Sequence, residues 1–192
     1  HTAGKKGACQ FFASEISSRA RMRLTLEAEL RRAVEAGEFE LHFQPRMFLG
    51  DRSVRGAEAL IRWRHPERGL VMPGQFISLA EDAGLIVPLG RLVIDMVARQ
   101  AASWRNKFGQ DFRVSFNISP LQFGVSDLVA DIDRAVERER AWHVNLEAEI
   151  TESALMSRPE QVVSVLQELR ERGLRLALAA VPALVLSACS QM

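Results

Sequence analysis

Three residues with oxygen-donating side chains lie at matching places along the sequence, each near the end of an apolar run that reads as a β-strand: Glu58, Asn117 and Glu149. A carboxylate inside an apolar strand is unfavourable unless a cation binds it or catalysis requires it. Carboxylate and amide oxygens, without histidine or thiolate, suit Mg²⁺, Mn²⁺ or Ca²⁺ better than Zn²⁺. The three residues together therefore predict a site for a hard divalent cation.

An ordinary structural explanation is open for each of these residues taken singly. Glu58 could form an ion pair with Arg62 or Arg64 on a partly exposed strand. Asn117 could satisfy backbone groups at a strand end, and Glu149 could be a solvated charge just before a helix. A shared site is the explanation that covers all three residues at once.

The spacing of apolar residues predicts strands that alternate with helices, after an opening helix at 27–36 that ends at Gly37. The predicted strands are 39–44, ended by Pro45, and then 54–61, 112–118, 144–150 and 174–179. The predicted helices between them are 73–82, 91–107, 128–138 and 159–172. This alternation predicts an α/β fold with a parallel sheet, because parallel neighbours need crossover connections.

The polar residues of interest share one end of the predicted sheet. Gln44, Glu58, Asn117 and Glu149 all lie at or near the carboxyl ends of predicted strands. In barrels and in open α/β sheets, the loops that carry catalytic groups gather at that end. The length of 192 residues falls short of the roughly 250 that an eight-stranded α/β barrel usually has.

Composition argues against several classes of protein. The chain has 25 basic and 24 acidic residues, a formal charge of +1, and its basic residues are scattered, so no duplex DNA partner is expected. No run of about 18 or more apolar residues forms a transmembrane segment, and the N-terminus lacks a signal pattern. Cys9 and Cys189 are the only cysteines and lack metal-ligand spacing, which favours a reducing cytoplasm.

Short motifs in chain order carry a resemblance to a known family. They are ELHFQP at 40–45, EALIRWRHP at 58–66, FISLAE at 76–81, FNIS at 116–119 and EITESAL at 149–155. With these motifs the chain resembles the EAL family of bacterial cyclic-di-GMP phosphodiesterases from about residue 38 to residue 178. The resemblance implies a TIM-like (β/α) barrel of the EAL type, and hydrolysis of one phosphodiester of cyclic di-GMP to give linear pGpG.

The resemblance also implies roles for individual residues. Glu58, Asn117 and Glu149 match metal ligands of the family, with Mg²⁺ or Mn²⁺ as the cofactor. Two such ions would polarise the phosphoryl oxygens and lower the pKa of the attacking water, which gives Glu58 a catalytic role. Glu152 matches a glutamate of the catalytic site that steadies a loop carrying further metal ligands.

Three further positions match residues that bind the substrate in the family. Gln44 corresponds to a substrate-contacting residue, and Leu60 to one that lies beside the nucleotide. Arg62 corresponds to a residue that faces a phosphate, where a planar guanidinium can bind two oxygens at once. The resemblance therefore implies cyclic di-GMP as the ligand.

One departure from the family pattern bears directly on activity. After Leu178 the family has two metal-binding aspartates, whereas this chain has Ala179 and Ala180. Only 12 residues follow Ala180, so we expect about five βα units of the normally eight-stranded barrel, without the family's catalytic lysine. Hydrolysis is therefore expected to be lost, and the alternative is a non-catalytic regulatory module that binds cyclic di-GMP or a partner protein. An open barrel edge would favour a homo-oligomer or a bound partner protein.

The N-terminal residues carry a second resemblance. AGKKG at 3–7 and QFF at 10–12 resemble the last turn and final strand of a GGDEF diguanylate cyclase domain, although its signature is absent and no cyclase activity is implied. A disordered basic tail is the other interpretation. The predicted organisation is a GGDEF tail at 1–14, a linker helix at 15–37, the N-terminal part of an EAL domain at 38–178, and an aberrant tail at 179–192.

Overall fold

The structure is a computed structural model that describes residues 22–179 apart from 110, 126, 152, 153, 155, 157 and 158. It opens with helix α1 over 22–36, which ends where Gly37 takes a φ of +70°. The opening helix and its glycine end are thus confirmed, since glycine adopts this backbone without steric strain. No helix in the described part of the chain is long and apolar enough to cross a lipid bilayer.

Every predicted element is present, with ends that shift by a few residues. The strands are β1 Phe39–Met47, β2 Val54–His65, β3 Gly69–Val71, β4 Arg113–Ile118, β5 Leu146–Thr151 and β6 Arg175–Ala179. The helices after α1 include α2 Pro73–Asp82, α3 Ile86–Phe108, α4 Gln122–Val125, α5 Leu128–Glu139 and α6 Pro159–Glu171. The short elements β3 and α4 have no counterpart in the prediction, because three or four residues are too few to show a periodicity.

The strands form one sheet in the order β1-β2-β4-β5-β6, and β3 extends it beside the far end of β2. Strands β2, β4, β5 and β6 are mutually parallel, which confirms the predicted α/β class. The pairing of β2 with β4 is short and covers only 56–59, after which β2 continues as a hairpin with β3. Glu58 therefore lies at the carboxyl end of the parallel part of β2, although it is in the middle of the strand.

The prediction was wrong about the first strand. β1 runs antiparallel to β2 and continues through Pro45 to Met47. The connection from β1 to β2 at 48–53 is too short for a crossover, so it can only form a hairpin. β1 is an outer strand, where the missing N–H of Pro45 costs little. Gln44 consequently lies inside an antiparallel strand, in register with Glu58, and not at the carboxyl end of a parallel one.

One face of the sheet is apolar and packs against helices. Alternate residues of β4 and β5 supply this face, and helices α3 and α5 cover it with their own apolar side chains. The buried strand residues are Val114, Phe116, Ile118, Leu146, Ala148 and Ile150. Because side chains alternate along a strand, the residues between them all lie on the opposite face.

That opposite face is polar. It carries Gln44 from β1, Glu58 from β2, Asn117 from β4 and Glu149 from β5, all at alternate positions to the buried apolar set. The same alternation that builds the core therefore collects the candidate site residues on one surface.

A second apolar cluster holds the far end of β2 against α1 and α2. Trp63 is fully buried there, and its indole Nε1 donates a hydrogen bond to Glu38 Oε2 at 3.0 Å. Its ring lies 5.9 Å, between centroids, from the rings of both Phe39 and Phe76. This packing orients the segment of β2 that carries Arg62.

Replacement of Gly56 tests whether the close approach of β2 to β4 supports the fold. A Cβ at Gly56 would lie 2.6 Å from the backbone oxygen of Arg113, so Gly56→Ala must push the strands apart. We expect a loss of about 1–3 kcal/mol in the free energy of unfolding, measured by urea denaturation. In the control Gly50→Ala, the new Cβ meets only the ring of Phe48, which is half exposed and can move. Equal losses in the two variants would contradict the prediction.

Candidate functional site

Glu58 and Asn117 contact each other on the polar face. The amide Nδ2 of Asn117 donates a hydrogen bond to Glu58 Oε1 at 3.0 Å. The alternative in which Glu58 pairs with Arg62 or Arg64 is wrong, because Arg64 binds Glu40 and Arg62 donates to the backbone oxygen of Ile61 at 2.9 Å. The contact leaves the amide oxygen of Asn117 for another partner.

Glu149 lies next to Asn117, and the two residues are paired in register across β4 and β5. Its side chain is only 12% exposed, so the alternative of a solvated charge is wrong. The guanidinium Nη1 of Arg46 lies 3.0 Å from Glu149 Oε1 and also contacts Glu147. The structure thus brings Glu58, Asn117 and Glu149 close together. The guanidinium of Arg46, on β1, lies beside them.

The pKa of Glu149 is raised above its ordinary value of 4.5. Burial is the main cause, because it penalises the ionised carboxylate, and the nearby charges of Glu58 and Glu147 act in the same direction. Ser115 and Arg46 offset part of this effect. The polar face therefore concentrates negative charge that a further cation would relieve.

The chemistry of the donor set fits a hard divalent cation. Two carboxylates and one amide oxygen are ligand types that Mg²⁺ and Mn²⁺ prefer. Arg46 already forms an ion pair with one of these carboxylates, that of Glu149. Among the described residues, no three histidine, cysteine, aspartate or glutamate side chains form a metal-binding group by themselves. A metal site formed here would therefore need the amide oxygen of Asn117 in addition to the two carboxylates.

A cleft of about 480 Å³ opens beside these residues at the carboxyl ends of β2 and β4. Its polar lining includes Glu58 and Asn117, and the predicted substrate residues Gln44, Leu60 and Arg62 line it as well. Apolar side chains of α2 and α3 form much of the remaining wall, among them Ile77, Leu89 and Val93. The size and the mixed lining suit a ligand with flat apolar parts and a few charged groups.

Arg62 is the most unusual member of this lining. It is 7% exposed, and burial lowers the pKa of its guanidinium. Within the described residues, its observed partner is the backbone oxygen of Ile61 and no carboxylate pairs with it. A buried guanidinium without a carboxylate favours an anionic ligand.

Sequence reasoning missed several residues of the site. Arg46 lies two residues after Gln44 and Glu147 two residues before Glu149, so the alternation of the strands already placed both on the polar face. At the cleft wall, the Ser119 hydroxyl donates to Glu81 Oε1 at 2.7 Å. That contact links α2 to the end of β4. Glu152 lies outside the described residues.

Comparison with known proteins adds the family. The sequence profile of the EAL domain matches residues 27–182. The chain belongs to the EAL domain family. It is 37% identical over 170 residues to the bifunctional diguanylate cyclase/cyclic di-GMP phosphodiesterase MucR of Pseudomonas aeruginosa. It is 40% identical over 176 residues to the cyclic di-GMP phosphodiesterase PdeR of Escherichia coli. The resemblance seen in the motifs is thereby confirmed.

Coverage is unequal in these comparisons. The matches span 88% and 90% of this chain but only 25% of MucR and 26% of PdeR. The chain thus spans about a quarter of the length of these curated relatives. Their activities belong to much longer proteins.

Solved EAL structures share the fold. A complex of the PaMucR phosphodiesterase with c-di-GMP has 34% identity and a TM-score of 0.77, covering 83% of this chain and 64% of that chain. The EAL enzyme Bd1971, in its cAMP- and cyclic-di-GMP-bound form, has 27% identity and a TM-score of 0.79, covering 90% of this chain and 48% of that chain. The predicted EAL-type, TIM-like fold is confirmed for the part that the chain covers.

Glu58→Gln tests the electrostatic coupling within the site. Removing the Glu58 charge should lower the pKa of Glu149, measured without divalent metal by a carbon-13 NMR titration of the Glu149 carboxyl. A raised carboxyl pKa gives stability that is present at acid pH and lost as the pH rises through the folded-state pKa, so this loss should be smaller, and complete at a lower pH, in the variant. The control Glu160→Gln removes an exposed charge on α6. An unchanged Glu149 titration in Glu58→Gln would refute the coupling.

Proposed function

We propose that this chain is an EAL-type cyclic-di-GMP phosphodiesterase domain that binds the dinucleotide in the cleft but does not hydrolyse it. The observation that carries the proposal is Arg62, a buried guanidinium in the cleft wall without a carboxylate partner among the described residues. A phosphate would supply the missing negative charge. The complexes of PaMucR and Bd1971 with this dinucleotide support the choice of ligand.

Different residues of the cleft lining would contact different parts of the dinucleotide. Arg62 would bind a phosphate, while Gln44 would offer its amide and Leu60 its apolar side chain to the nucleotide. The aliphatic wall from α2 and α3 would cover the flat face of a base, whose burial is favourable. These roles join the three predicted substrate residues in a single ligand site.

Glu58, Asn117 and Glu149 would hold Mg²⁺ or Mn²⁺. A bound ion of this kind polarises phosphoryl oxygens and lowers the pKa of water. The contact between Asn117 and Glu58, and the register of Asn117 with Glu149, support a shared role for the three side chains. Glu58 would thereby take part in catalysis in an active member of the family, with Glu152 as a supporting residue.

The loss of hydrolysis is proposed from positions 179 and 180. Position 179 is paired with Thr151, two residues beyond the pairing of Glu149 with Ala177 on the same two strands. The family pattern has aspartates at 179 and 180, so their carboxylates would join the ligands at this end of the sheet, whereas alanine offers none. Without ligands for a second ion, the charge of the transition state would lose a main source of stabilisation.

Three other expectations stay predictions. They are a cytoplasmic location, the division of the chain at 14, 37 and 178, and association through a sheet edge. Strands β1 and β6 are the outer strands of the described sheet, and Leu178 of β6 is 66% exposed. Exposed strand edges favour pairing with a second copy or a partner protein.

Arg62→Gln should weaken binding of cyclic di-GMP by about 10- to 100-fold, because a charge-assisted hydrogen bond contributes about 1.5–3 kcal/mol. Isothermal titration with Mn²⁺ present measures the change. Arg64→Gln is the matched control, since Arg64 lies two residues away, carries the same charge and pairs with Glu40 outside the cleft. Equal losses in both variants, or no binding by the unmodified chain, would refute the proposed ligand site. Absence of dinucleotide binding would favour a module that binds only a partner protein.

The double variant Ala179→Asp, Ala180→Asp tests the explanation for lost hydrolysis. We expect the unmodified chain to bind one Mn²⁺ and to leave cyclic di-GMP intact, and the double variant to bind a second Mn²⁺. Electron paramagnetic resonance of free Mn²⁺ gives the stoichiometry, and chromatography detects pGpG. Formation of pGpG by the unmodified chain above a metal-only blank would show that the chain is active.

A further inference from the structure

Arg46 reaches across two neighbouring strands of the sheet. It belongs to the outer strand β1, yet its guanidinium contacts Glu147 and Glu149 on β5, and β2 and β4 lie between. Its backbone is in register with Gly56, and Ser115 is in register with Glu147. Both intervening residues are small, so they leave a path for the long side chain over the face of the sheet.

A single nitrogen of Arg46 serves both carboxylates. Nη1 contacts Oε1 of Glu147 and lies 3.0 Å from Oε1 of Glu149. The side chains of Glu147 and Glu149 are 16% and 12% exposed, so water solvates neither carboxylate fully. Arginine keeps its charge at any relevant pH. Arg46 is therefore the permanent cation of a poorly solvated acidic pair.

The two carboxylates differ in what else they can do. Glu149 is in register with Asn117 and belongs to the proposed metal site. Glu147 lies two residues earlier on β5, further from that site, and its backbone is in register with Ser115. Arg46 and a divalent cation would thus compete for Glu149 but not for Glu147. Two cations on one carboxylate repel each other.

We propose that Arg46 is a resident counter-ion, which neutralises Glu147 and Glu149 in the metal-free protein and releases Glu149 to the divalent cation while it stays on Glu147. This inference rests on the metal site of the proposed function. Arg46 then has two opposite effects. It stabilises the metal-free fold, and it weakens metal binding by competing for a ligand and by repelling the ion.

The test uses Mn²⁺ alone as the probe and needs no activity. Arg46→Gln should bind Mn²⁺ on the order of tenfold more tightly than the unmodified chain, measured by electron paramagnetic resonance of the free ion. In EDTA the same variant should melt at a lower temperature, by about 2–6 °C, because two largely covered carboxylates lose their counter-ion. The additional change Glu147→Gln should restore part of that loss, since it removes one of the two charges.

Two control variants separate this role from general charge effects. Arg55→Gln removes the same charge from an exposed pair with Asp51 and should leave the affinity for Mn²⁺ unchanged. Arg46→Lys keeps the charge, so its affinity should stay close to that of the unmodified chain, and it gives a readout if Arg46→Gln does not fold.

The outcomes distinguish the two proposals. Equal or weaker Mn²⁺ binding by Arg46→Gln, with normal binding by the unmodified chain, overturns the counter-ion role alone. No Mn²⁺ binding by either chain overturns the proposed metal site and the release of Glu149 with it. An unchanged melting temperature of Arg46→Gln in EDTA also overturns the counter-ion role.

Discussion

The parallel pairing of β2 with β4 over 56–59 determines where the functional side chains lie. It is a short contact, and it depends on Gly56, whose missing side chain lets the backbone of Arg113 approach. Because side chains alternate along strands, a slip of one residue would turn Glu58 into the helix-covered core and Ala59 out to the polar face. The register therefore links the packing of the core to the chemistry of the opposite surface.

That surface holds more charge than it can solvate. Glu149 is mostly covered, and its pKa is raised by burial and by the neighbouring carboxylates. Structures avoid such a concentration unless a cation compensates for it, and Arg46 is the cation that the described chain itself supplies. The cleft shows the opposite imbalance, since Arg62 is buried there without an acidic partner among the described residues. An acidic site next to a guanidinium that has no carboxylate partner in the described part of the chain supports the proposed binding of a phosphate ester and a divalent cation.

Most of the helices and strands could be predicted from the sequence, since long amphipathic segments such as 73–82 and 128–138 have a clear period and clear ends. The errors fall where tertiary context overrides local signals. Pro45 ends a strand in most settings, but on an outer strand its lack of an N–H is harmless, so β1 continues to Met47. The direction of β1 follows from the length of its connection to β2, which the alternation of strands and helices does not reveal.

The sequence by itself determined the class of the fold and the family, and it predicted which residues are candidate oxygen ligands, because motifs and alternation are local properties of the chain. It could not determine which charges meet. That Glu58 accepts from Asn117, that Arg62 lacks a carboxylate among the described residues, and that Arg46 crosses the sheet to Glu149 were decided only in the tertiary structure. The physical reason is that these contacts join strands far apart in sequence, and their geometry depends on register, strand direction and the small residues between them.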